Sequence, residues 1–77
     1  GKRLLLVEDE YAIAADLACV FEDAGAEVVG PVASVEDALE LVAEEGDRLD
    51  GALLDINLRN ERVYPVADAL AAKGVPF

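Results

Sequence analysis

Two short apolar runs in this chain of 77 residues end in acid. Leu4-Leu5-Leu6-Val7 is followed by Glu8 and Asp9, and Gly51-Ala52-Leu53-Leu54 by Asp55, with Asn57 close behind. Runs of this kind, folded as neighbouring parallel strands, deliver three carboxylates to one edge of a sheet. Like charges held that closely disfavour ionisation unless a cation sits among them, so the group reads first as a Mg²⁺ site. An aspartate fixed beside such a metal is also fit to accept a phosphoryl group. Singly, each acid is an ordinary solvated carboxylate and Asn57 an ordinary turn residue. Only their joint placement carries the chemistry.

The elements that must position these residues recur as strand-like and helix-like segments, which predicts βα units and an α/β fold. Leu4 to Val7 is a continuous apolar run, as expected of a parallel strand buried on both faces. Ile13, Leu17, Val20, Phe21 and Ala24 come next at helical spacing and predict the buried stripe of a first helix, stopped at Gly25. Glu27 to Val32 predicts a second strand, placed at an edge because Pro31 is tolerated there.

Ser34, with Asp37 three residues on, predicts an N-cap for a second helix that buries Val35, Ala38, Leu39 and Val42 and ends near Gly46. Ala52 to Ile56 predicts the third strand. Pro65 is placed as the first residue of a third helix bearing Val66, Ala69 and Leu70, ended by Gly74. Val75-Pro76-Phe77 reads as the start of a fourth strand. The expectation is one domain over residues 1–77, about three βα units plus that start. Such a piece is either a fragment or is completed by association.

Composition narrows the partners. Seventeen acidic residues against six basic ones give a net charge of −11, which argues against a nucleic-acid backbone or an anionic membrane surface. Hydrophobic residues make up 55% of the chain, too many for intrinsic disorder. The single cysteine, Cys19, cannot form an internal disulfide. No apolar run approaches a membrane span and no secretory signal is readable, so a cytoplasmic protein is the default.

In an open parallel sheet, ligands bind beyond the carboxyl ends of the strands, where strand order reverses; in the flavodoxin-like order 2-1-3-4-5 that point lies between strands one and three. The segments Leu6-Val7-Glu8-Asp9-Glu10 and Leu53-Leu54-Asp55-Ile56-Asn57, with the βα spacing between them, resemble a bacterial response-regulator receiver domain. The resemblance covers the whole chain but only the first part of that family's flavodoxin-like fold.

The resemblance implies that Asp55 takes a phosphoryl group from a phosphohistidine on a sensor histidine kinase, or on a phosphotransfer protein, in a two-component phosphorelay. It also implies that Asp9 binds Mg²⁺ directly, Glu8 directly or through water, and Asn57 through its backbone carbonyl. Such a domain is consumed in its reaction cycle and is a signalling acceptor rather than an enzyme. The family's Ser or Thr after strand four and Lys after strand five lie beyond Phe77. Arg59 stands where proline is commonest in the family.

Other readings compete. Arg59 and Arg62 could approach a phosphate, but solvated loop charges are the simpler assignment. Glu10, Asp16, Glu22 and Asp23 belong on the exposed side of the first helix. Ala12, Ala15 and Cys19 form a stripe of small residues, read first as a packing face for another helix and second as a kinase-docking face. A mononucleotide site would need a glycine-rich loop, which Val7-Glu8-Asp9-Glu10-Tyr11-Ala12 lacks. A haloacid-dehalogenase-like phosphatase carries Asp-x-Asp on its first strand, whereas this chain has Asp-x-Asn on its third. The strongest rival is a truncated receiver acting as a non-switching interaction or dimerisation module, with self-association through an uncovered sheet face.

Overall fold

The computed structural model describes residues 2–55, 57, 58 and 61–77, the pairs 57–58 and 61–62 by their backbone. The elements run β1 (Arg3–Val7), α1 (Tyr11–Asp23), β2 (Glu27–Val32), α2 (Val35–Glu45), a 3₁₀ turn (Gly46–Arg48), β3 (Gly51–Leu54), β4 (Asn57–Leu58), β5 (Glu61–Arg62) and α3 (Tyr64–Ala72). β1 pairs in parallel with both β2 and β3, giving the order β2-β1-β3. This is an α/β architecture that matches the opening portion of a flavodoxin-like sheet. Among the described residues, no helix is long and apolar enough to cross a membrane.

β1 is central and buried from Leu5 to Val7, as its unbroken apolar run requires. Alternation along the strand splits its side chains between two layers. Leu5 and Val7 join Ala38 and Val42 of α2 and Val66 and Leu70 of α3 in the main core. Leu6 is buried outside that cluster and, with Leu17 of α1, lines the same cleft on the other face. The two layers differ in depth. The α2/α3 layer buries complete aliphatic side chains, whereas α1 buries only Ala14.

α1 departs from the expected stripe. Ile13 and Val20 are 50% and 61% exposed, and Ala24 is exposed too. The sheet instead receives Ala14, Leu17, Ala18 and Phe21, which recur at i, i+3, i+4 and i+7. This helix is apolar on more than one face, so periodicity alone does not select the buried one. Ala12, Ala15 and Cys19 are exposed, and the helix packing expected of them has no counterpart among the described residues. Glu10, Asp16, Glu22 and Asp23 are exposed as expected.

The remaining elements fall close to their expected places. The Ser34 hydroxyl accepts the Asp37 N–H at 3.1 Å and starts α2. α3 begins one residue before Pro65 and runs to Ala72, with Gly74 in the left-handed region at φ +73°. β3 starts at Gly51 and ends at Leu54; Ile56 lies outside the described residues. Val75–Phe77 forms no strand, yet the Ala52 N–H donates to the Pro76 carbonyl at 2.9 Å, so this segment lies along the outer edge of β3.

At the amino ends of the strands, Arg3 ties the layers together. Its backbone N–H donates to the Asp50 carboxylate at 2.8 Å, and its guanidinium reaches Glu27 of β2 and Glu45 of α2. This cluster lies at the opposite end of the sheet from Glu8, Asp9 and Asp55.

Candidate metal centre

Asp55 comes directly after β3, and its N–H donates to the Val7 carbonyl at 2.9 Å. The β1–β3 ladder runs in unbroken register from Leu4↔Gly51 to Val7↔Leu54. That register brings the next residues, Glu8 and Asp55, side by side. Glu8 is held on its other flank by β2, where its N–H donates to the Val32 carbonyl at 3.0 Å. The expected edge therefore forms: one carboxylate oxygen from each of Glu8, Asp9 and Asp55 lies within 4.8 Å of the others, all three side chains half-buried.

The turn from β1 into α1 also shapes the site. The Glu10 N–H donates to Glu8 Oε1 at 3.1 Å, bending the Glu8 side chain back over the turn. α1 starts at Tyr11, so the positive end of its dipole lies beside the acids, where it favours negative charge. Burial raises the Glu8 carboxyl above its ordinary value of 4.5. The Glu10 N–H opposes that rise, while the charges of Asp55 and Asp9 and a hydrogen bond with the Asp55 side chain add to it. The triad on its own is thus over-supplied with negative charge.

That imbalance is the test of fit for a metal. Three hard oxygen donors, converging and part-shielded from water, match the few carboxylates Mg²⁺ takes while keeping several waters. An open cleft of about 470 Å³ adjoins the site, with Glu8 and Asp55 at its polar end and Leu17 and Leu53 along its apolar side. The donor set fits the group.

The other expected site residues divide. Asn57 opens β4 and pairs with Arg62, and Leu58 pairs with Glu61, so these four residues form a short antiparallel pair where the sequence predicts a loop. Two-residue strands are too short for alternation to announce them. Arg62 belongs to β5 by its backbone, while Arg59 lies outside the described residues.

One residue that supports the site reads in the sequence only as part of a strand. Gly30 has φ +100°, and β2 carries an extra residue there, because Leu5 pairs with Val29 but Val7 with Val32. A lone glycine within a strand pattern is the sequence signal for such a bulge.

No protein-family model and no curated protein sequence matches the chain. The solution structure of SdrG from Sphingomonas melonis Fr1 is similar at 44% sequence identity and a TM-score of 0.88. The match covers 99% of this chain and 64% of SdrG, so the chain spans under two thirds of that protein's length.

Proposed function

We propose that this chain is part of a response-regulator receiver domain whose Asp55 accepts a phosphoryl group from a phosphohistidine of a sensor kinase or phosphotransfer protein. The observation that carries this reading is the convergence of Glu8, Asp9 and Asp55 at the carboxyl ends of the adjacent strands β1 and β3. An acid pair and a separate aspartate, brought together across a switch point in strand order, suit a metal-assisted phosphoryl acceptor.

In this reading an Asp55 carboxylate oxygen attacks phosphorus in line. The P–O bond forms as the P–N bond to the donor imidazole breaks, and the departing imidazole nitrogen takes a proton from solvent. Asp9 would hold Mg²⁺ directly and Glu8 directly or through water, with the Asn57 backbone carbonyl as a further oxygen. Mg²⁺, when bound, supplies positive charge to the equatorial phosphoryl oxygens and relieves repulsion between two anions. Asp55 is held for attack by its own backbone bond to Val7. A bacterial, cytoplasmic setting belongs to the same proposal.

A second reading rests on a different observation. Leu53 is 41% and Phe77 63% exposed, on a sheet face that α1 covers only in part. An interaction module would use that apolar surface without any need for phosphorylation.

The deciding experiment is incubation with a small acyl-phosphate donor and Mg²⁺, then intact-mass measurement. Wild type gains one phosphoryl group, and Asp55→Asn gains none. An unmodified wild type, or an adduct that persists in Asp55→Asn, would reject the acceptor role.

A further inference from the structure

We infer that Gly30 is a positioning residue for Glu8: the bulge it permits in β2 brings the Val32 carbonyl under the Glu8 N–H and so sets where the Glu8 carboxylate stands. This deepens the proposed metal role of Glu8 and rests on it.

The bulge lies between two regular pairings. Leu5 pairs with Val29 and Val7 with Val32, so two steps along β1 are matched by three along β2. The extra residue falls in the Gly30-Pro31 segment. Such a bulge bends its strand and re-aims the backbone beyond it. Just beyond this one stands the Val32 carbonyl, which receives the Glu8 N–H at 3.0 Å. Glu8 thus has its backbone fixed from β2 and its carboxylate fixed from the Glu10 N–H.

No other residue fits at Gly30 without movement. Its φ of +100° is one that side chains rarely adopt. A Cβ there would lie 2.9 Å from both the Leu6 carbonyl oxygen and the Val32 nitrogen. Both obstacles are backbone, and they flank the hydrogen bond in question. One belongs to the strand that leads into Glu8, and the other to the residue that accepts from it. Relief of the clash must part β1 from β2 just where Glu8 is gripped. By contrast, a Cβ at Gly25, which also has positive φ, would meet nothing within 4 Å.

The test uses the whole chain in two altered forms. Gly30→Ala adds the clashing Cβ. A Glu8 backbone ester removes the N–H donor and also weakens the Val7 carbonyl that accepts from Asp55; it can be made by joining a synthetic 1–18 thioester to residues 19–77 at Cys19. Val42→Ala, a cavity in the α2 layer, is the reference for general loss of stability.

Two quantities are read: hydrogen exchange of the Glu8 amide without metal, and Mg²⁺ affinity by calorimetry. The expected result is faster Glu8 exchange in Gly30→Ala than in Val42→Ala, and Mg²⁺ affinity down about tenfold or more in Gly30→Ala and in the ester. Affinities in both altered forms equal to that of Val42→Ala would overturn the inference. If Gly30→Ala does not fold, an ester with the affinity of Val42→Ala overturns the inference, and a loss of about tenfold or more supports the Val32–Glu8 link on which it rests. Failure of wild type to bind Mg²⁺ would defeat the metal reading itself, and the Glu8 exchange rates would still judge the Gly30 coupling.

Discussion

The N–H of Asp55 donates to the carbonyl of Val7 at 2.9 Å, so the ends of the two acid-bearing strands are bonded directly to each other. The pair leaves little freedom to separate the carboxylates at those ends. Backbone pairing holds Glu8 and Asp55 side by side, and Asp9, next in the chain, brings its carboxylate to the same edge. Their mutual repulsion is therefore a cost built into the metal-free fold.

Removing one charge should release part of that cost. Unit charges about 4 Å apart repel by roughly 1 kcal/mol in water-like surroundings. In EDTA, Asp55→Asn is expected to melt about 4–8 °C above wild type, the shift that roughly 1 kcal/mol produces in a domain of this size. With Mg²⁺ the order should reverse, because wild type gains binding energy that the variant has lost. Equal melting temperatures in EDTA would contradict the repulsion.

The raised Glu8 carboxyl makes a second expectation, which burial as well as the neighbouring charges carries. A carboxyl that holds its proton more tightly in the folded state binds more protons folded than unfolded in that window. Stability then falls as pH rises. Its favourable contribution is complete below the ordinary value of 4.5 and is lost as pH climbs through the raised folded value. Chemical denaturation in EDTA across this range should show Glu8→Gln with a flatter profile than wild type. A wild-type profile that rose more steeply than that of Glu8→Gln would contradict the sign.

How far the sequence discloses this arrangement depends on the kind of signal. β1 and the acids after it are legible because a strand buried on both faces reads as an unbroken apolar run. The site needs one step more, adjacency of β1 and β3, which a named strand order suggests and residue spacing does not. α1 misleads because Ile13 and Val20 are as apolar as Leu17 and Phe21, and nothing local says which face meets the sheet. The β4–β5 pairing at Asn57 and Arg62 is invisible for want of length, whereas Gly30 signals a bulge whose effect on Glu8 only the partner strand reveals.

Ser34 is legible, and it offers a clean control. Its hydroxyl caps α2 by accepting the Asp37 N–H, far in function from the acids. Ser34→Ala should cost about 1 kcal/mol of stability and leave Mg²⁺ affinity within about twofold of wild type. Urea denaturation with parallel calorimetry checks both. A large loss of metal affinity would show that α2 is coupled to the site.

The uncovered side of the sheet should make this 77-residue chain associate with itself, and charge decides how the association depends on salt. Ile13 and Val20 on α1, Leu53 on β3 and Phe77 beside it are all exposed. Apolar burial of this kind favours contact at roughly 25 cal/mol per Å². Opposing it, two chains of net charge −11 repel over about 10 Å at 0.1 M salt and over about 3 Å at 1 M. Added salt should therefore strengthen the contact, the reverse of what an interface held by ion pairs would do. Sedimentation equilibrium in about 0.05 M and about 1 M NaCl is expected to show a larger mean mass at the higher salt, where the repulsion is screened. The double variant Val20→Glu, Leu53→Glu should stay monomeric in both. Wild type that is monomeric throughout, or that dissociates as salt rises, would rule out an apolar contact through α1 and β3.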